Sequence, residues 1–88
     1  MEVRWSTLAV EDLEHIFNRI EKDNPAAARE TVKAIYEGCR GLSQFPHLGR
    51  PGRMKGRREL AFPPYVAVYQ VKEHAVEISR IYHGAQNW

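Results

Sequence analysis

Arg80, Tyr82 and His83 stand near the end of the chain, and Arg50, Arg53, Lys55, Arg57 and Arg58 crowd into nine residues with no acid among them. Arginines and a histidine are groups that can act on a phosphodiester. Guanidinium groups hold a phosphate through paired N–H donors, and an imidazole, which titrates near neutrality, gives or takes a proton. Arg58 on one strand and Arg80 on another can meet on a sheet face and grip a single phosphate. The competing use of Arg58 is a cross-strand pair with a carboxylate such as Glu77, contributing only ~0.2–1 kcal/mol when exposed. The competing use of His83 is a solvated terminal side chain.

Other chemistries lack their residues. The chain holds no glycine-rich phosphate loop ending in Lys-Ser/Thr, no Gly-x-Ser-x-Gly, no His-Glu-x-x-His and no Cys-x-x-Cys. His15, His47, His74 and His83 are scattered, and the lone Cys39 permits neither an intrachain disulfide nor a cysteine-based zinc site. The sequence therefore implies no metal site and no cofactor. Its net charge of +2 hides an asymmetry: the segment from Arg50 to Arg58 carries +5, and the other 79 residues carry −3. A dense basic segment draws phosphate or an acidic partner.

Eighty-eight residues suit a single domain, spanning 1–88, and 43% hydrophobic with 27% charged residues is the balance of a folded soluble chain. The longest apolar stretch, Leu60 to Val71, is interrupted by Pro63 and Pro64 and falls short of the ~20 residues a membrane span needs. No signal-peptide pattern opens the chain, so a cytoplasmic setting is expected, without a membrane partner.

The elements that must position these residues follow from periodicity. Ser6 or Thr7 can cap a helix with Glu11 and Asp12 in its first turn, and Ala9, Leu13, Ile16, Phe17 and Ile20 mark one helical face. Asn24-Pro25 restarts the pattern, and Ala28, Val32, Ile35, Tyr36, Cys39, Leu42 and Phe45 predict a second helix from about Pro25 to Gln44. Two prolines and three glycines between Pro46 and Gly56 predict a loop. Strands are predicted at Arg58–Phe62, Tyr65–Val71 and Ala75–Tyr82, with a short first strand around Val3 and Trp5. Ile81 has the opposite parity to Val76 and Ile78, which a bulge near Ser79-Arg80, or the end of the strand there, would reconcile. The order β-α-α-β-β-β predicts an α+β domain, a helical hairpin packed on a mainly antiparallel four-stranded sheet.

Trp5-Ser6, Ala9-x-x-Asp12-Leu13-x-x-Ile16, Asn24-Pro25-x-Ala27-Ala28, Phe45-Pro46-x-x-Gly49-Arg50, Gly56-x-Arg58-Glu59-Leu60, Tyr65-x-x-x-Tyr69 and Ile81-x-His83-Gly84-x-Gln86-x-Trp88 follow one another over nearly the whole chain. In that order and spacing they resemble the RelE/ParE superfamily of bacterial toxins. The resemblance implies the toxin of a type II toxin-antitoxin system, with a cognate antitoxin as its partner. It implies one of two activities, and the nuclease is the reading taken from the sequence, because every chemical role it requires has a candidate residue; gyrase inhibition is the alternative. RelE-like members are metal-independent endoribonucleases that cleave messenger RNA, usually on the ribosome, whereas ParE-like members block DNA gyrase without a nuclease centre. Carried over by position, the nuclease reading makes Arg58, Arg80 and His83 catalytic and assigns substrate binding to Arg50, Arg53, Lys55 and Arg57. Transesterification of RNA needs a base, an acid and cations around the pentavalent phosphate. His83 is the candidate acid or base.

Overall fold

The computed structural model describes residues 1–84, and Gln86 and Trp88, which end the resemblance, lie outside the described residues. Strand β1 (Glu2–Trp5) leads into helix α1 (Thr7–Glu21) and helix α2 (Pro25–Arg40), followed by strands β2 (Arg50–Pro51), β3 (Arg58–Phe62), β4 (Tyr65–Val71) and β5 (Ala75–His83). The strands form one sheet in the order β1-β5-β4-β3-β2, antiparallel except for the β1–β5 pair. This is the expected α+β hairpin-on-sheet arrangement with a fifth strand. β2 is only two residues long, and Pro51, which has no amide hydrogen to give, sits where a proline is tolerated, on the sheet edge.

Each helix starts on its cap. Ser6 Oγ accepts from the Ala9 amide at 3.0 Å, and Asn24 Oδ1 accepts from the Ala27 amide at 3.1 Å, with Pro25 in the first helical turn. Because α1 begins at Thr7, Glu11 and Asp12 lie beyond its first turn, contrary to the sequence expectation. α2 stops at Arg40 rather than Gln44, and the chain tightens into a 3₁₀ turn over Gly41–Ser43 that still buries Leu42.

The two helices cover one face of the sheet. Ala9, Ile16, Ile35, Cys39 and Leu42 meet Tyr65, Ala67, Tyr69, Val76, Ile78 and Ile81 in the core. Tyr36 departs from the expected buried face: it is half exposed and stacks on Trp5 at 6.0 Å. Among the described residues the other face of the sheet carries no helix, an arrangement antiparallel sheets allow. The expected bulge is present. Val68 pairs with Arg80 and Tyr69 with Ile78, so Ser79 is the extra residue on β5. Ser6 ties it down, its amide donating to the Ile78 carbonyl at 3.0 Å and its hydroxyl to the Ser79 carbonyl at 2.7 Å.

Candidate functional site

Alternation along β4 decides which side each candidate belongs to. Tyr65, Ala67 and Tyr69 turn to the helices, whereas Val66, Val68 and Gln70 turn to the uncovered face. Arg58 lies opposite Tyr69 and therefore belongs to the helix side. Its Nε donates to the Gly49 carbonyl at 3.0 Å, and its Nη2 donates to the carbonyls of Gly49 and His47 at 2.6 and 3.2 Å. The Gly49 amide donates to the Tyr69 hydroxyl at 2.9 Å, and that hydroxyl donates to the Pro46 carbonyl at 2.8 Å. Only glycine fits here: a Cβ on Gly49 would stand 2.5 Å from the Glu59 carbonyl oxygen and 2.7 Å from Tyr69 Oη. Arg58 and Tyr69 thus clamp the segment that feeds the basic run.

Within that run the charges are partly matched. Glu59, one residue past the cluster, is buried at 5% exposure. Its Oε1 accepts from Arg50 Nε and Nη2 at 3.3 and 3.1 Å, and its Oε2 accepts from the Arg53 amide at 3.2 Å. Arg57 reaches across β4 on the uncovered face, where its Nη1 donates to Gln70 Oε1 at 2.7 Å and to Ser79 Oγ at 3.2 Å. Arg53 and Lys55 lie exposed on the turn.

Arg80 lies opposite Val68 on the uncovered face, yet its head group is held at the sheet edge. β1 pairs with β5 only as far as Ile78, so the next stretch of β5 is open to α1. Asp12 fills that opening. It accepts from Arg80 Nε at 2.8 Å and Nη2 at 3.1 Å and from the Ile81 amide at 2.9 Å. The hydrogen bond to Asp12 is the main cause of an Arg80 pKa raised above its already high ordinary value, so the group remains a cation. Arg80 also lies over the Tyr82 ring, 5.1 Å from its centroid.

His83 lies opposite Tyr65, again on the helix side, and the two rings meet edge to face at 5.6 Å. It borders a cleft of about 250 Å³ that is also lined by His15 and Arg19 of α1. The expectation that Arg58 and Arg80 share a sheet face is therefore corrected: one residue of register puts them on opposite faces, and each is held by its own oxygen acceptors. Arg58 and His83 share a face but sit four residues apart along β4 and two strands apart across it. That is a separation of ~16 Å between Cα positions from ordinary strand dimensions. The arginine that does reach β5 from the β3 side is Arg57, through Ser79. Cys39 contributes no nucleophile, since burial pushes its thiol up to about 12. Among the described residues no group of three or more His, Cys, Asp or Glu is placed to hold a metal.

Asp12, Glu59 and Tyr69 organise the region, and their roles escaped the sequence expectation. Asp12 and Arg80 are 68 residues apart, and nothing local pairs them. Glu59 stands directly beside the basic run, and its position was the available signal.

The family model described as the ParE toxin of the type II toxin-antitoxin system parDE matches residues 3–88. The chain belongs to this family. Among relatives, it is 39% identical over 88 residues to the Y4kP protein of Sinorhizobium fredii, covering 98% of this chain and 91% of that one. It is 32% identical over 85 residues to toxin RelE2 of Caulobacter vibrioides, covering 97% of each. Among solved structures, a chain of the chromosomal ParDE toxin-antitoxin system from P. aeruginosa matches with a TM-score of 0.85 at 28% identity, over 94% of this chain and 95% of that one. A chain of the toxin-antitoxin complex RelBE2 from Mycobacterium tuberculosis matches with a TM-score of 0.69 at 27% identity, over 93% and 95%. The ParE family and the hairpin-on-sheet fold agree with the resemblance seen in the sequence. No helix among the described residues is long and apolar enough to cross a membrane.

Proposed function

We propose that this ParE-family toxin arrests bacterial growth by binding and blocking DNA gyrase, and that it does not cleave messenger RNA. The supporting observation is the separation of Arg58 from Arg80 and His83. A phosphoryl-transfer centre needs its cations and its proton donor around one phosphate, within about 3 Å of the reacting atoms. Here Arg58 is engaged by the Gly49 carbonyl and sits ~16 Å from His83 by ordinary strand dimensions, and Arg80 is engaged by Asp12. The family match and the fit to a ParDE toxin-antitoxin structure favour the same reading. In this reading Arg50, Arg53, Lys55 and Arg57 form a docking surface for protein rather than for substrate RNA.

The partner that neutralises the toxin is a cognate antitoxin, by likeness to the ParDE and RelBE2 toxin-antitoxin systems. An acidic, partly disordered segment that folds on contact suits the basic run. The test combines a gyrase supercoiling assay with primer extension on translated messages after toxin induction. Loss of supercoiling, gyrase-linked cleaved DNA and intact messages are expected. Defined cuts within codons, with gyrase unaffected, would restore the nuclease reading.

A further inference from the structure

The cleft between α1 and the end of β5 has no part in the reading above. Its walls are Arg19 and His15 from one stripe of α1, Tyr65 from the start of β4 and His83 from the end of β5, with Asp12 at one margin. Two observations point to a ligand. First, Tyr65 is buried at 6% exposure, and its hydroxyl has no hydrogen-bond partner among the described residues; its ring meets only the His83 ring in a specific contact. Buried polar groups are almost always paired, so a phenol lining a cleft calls for an oxygen from outside the protein. Second, the charge around the cleft is one-sided. Among the described residues lining it, the one carboxylate, Asp12, is already occupied by Arg80 and the Ile81 amide, leaving the Arg19 guanidinium to set the local sign.

We propose that this cleft is an oxyanion site that takes a phosphate group. Arg19 and His15 of α1 and Tyr65 of β4 line the cleft from two different elements, an arrangement that suits a tetrahedral anion with oxygens in several directions better than a planar carboxylate. A volume of about 250 Å³ admits one phosphoryl group and leaves the rest of a larger molecule outside. Arg19 supplies the permanent charge, the imidazoles of His15 and His83 flank it, and the Tyr65 hydroxyl donates from the buried side. Both free phosphate and the terminal phosphate of a nucleotide present this chemistry.

The test is an NMR titration of the full chain, following the imidazole Cε1 protons with inorganic phosphate in one series and a nucleoside 5′-monophosphate in another. Saturable shifts at His15 and His83, absent at the exposed His74, are expected. Arg19→Gln should weaken binding tenfold or more. Tyr65→Phe keeps the ring in the core, preserves the fold, and should weaken binding about three- to tenfold, the value of one hydrogen bond. Saturation with both ligands assigns the site to the phosphate group itself; saturation with the monophosphate alone assigns it to a nucleotide. Shifts of equal size at His74, or binding unchanged in either variant, would overturn the proposal.

Discussion

Asp12 on α1 grips Arg80 on β5 through both carboxylate oxygens, at 2.8 and 3.1 Å, while one of those oxygens also accepts the Ile81 amide. The pair joins helix to sheet at the point where β1 stops covering β5. Asp12→Ala removes every one of these acceptors and leaves the Ile81 amide unpartnered. Hydrogen bonds to charged groups contribute ~1.5–3 kcal/mol, and a loss in that range is expected. Urea unfolding should show a lower midpoint at an unchanged slope. Arg80→Ala should lose less, because Asp12 keeps the Ile81 amide and the 37%-exposed Arg80 side chain is screened by water.

The clamp on Gly49 makes a second prediction. Tyr69→Phe keeps the ring but strips the hydroxyl that links the Gly49 amide to the Pro46 carbonyl, leaving a buried donor unmatched. A loss of ~1–3 kcal/mol is expected, with faster amide exchange in residues 46–51 than elsewhere. Gly49→Ala should be at least as damaging, since its Cβ would meet backbone at Glu59 that cannot step aside; overpacking of this kind costs ~1–3 kcal/mol or more. A Gly49→Ala protein with wild-type stability would show that the segment yields freely.

Most of the fold was legible because it is written in local patterns. Ser6, one of two candidate caps, and Asn24 marked the helix starts, Pro63-Pro64 marked the turn between β3 and β4, and the parity break at Ile81 pointed to an irregularity at Ser79-Arg80 that is a bulge at Ser79. β2 was invisible because its two residues, Arg50 and Pro51, pair only through tertiary position. The site was less legible for the same reason. Types and spacing named Arg58 and Arg80, but a single residue of register on either side of β4 decides whether two side chains face each other. The acceptors that claim them, the Gly49 carbonyl and the Asp12 carboxylate, lie 9 and 68 residues away.

Cys39 should make stability fall at alkaline pH. Burial raises its thiol from an ordinary 9.0 to about 12 in the folded chain, so folding favours the protonated form. That contribution is fully present below about pH 9 and is lost as pH rises from 9 towards 12, because the unfolded chain releases the proton first. A slope of ~1.4 kcal/mol per pH unit belongs to this one group. Other side chains titrate in the same window, so the measurement is the difference between the parent and Cys39→Ala. Cys39→Ala should be less stable at neutral pH, yet the gap should narrow as pH rises. The native thiol should also resist alkylation at pH 8.

Antitoxin association should depend on the exposed basic turn. Replacing Arg53 and Lys55 with glutamine removes two charges from that turn and leaves the Arg57 bridge to Gln70 and Ser79 in place. A slower association rate and a flatter dependence on salt are expected, from the loss of electrostatic steering. Stopped-flow association at several ionic strengths measures both. Unchanged rates with the same salt slope would place the antitoxin elsewhere on the toxin.

The last prediction separates binding from catalysis at His83. His83→Gln retains similar size and hydrogen-bonding ability and removes the imidazole that could give or take a proton. A nuclease using His83 as acid or base should lose ~10²–10⁴-fold in rate with this change. A gyrase-blocking toxin should lose almost nothing, because His83 packs beside Tyr65 on the helix side, away from Arg53, Lys55 and Arg57 on the basic segment. Expression of His83→Gln is therefore expected to arrest growth as the parent does, with the same loss of supercoiling. Thermal unfolding should confirm that the variant is folded. A folded His83→Gln protein that no longer arrests growth, while Arg53→Gln with Lys55→Gln still does, would return His83 to a reacting centre and remove the case for gyrase.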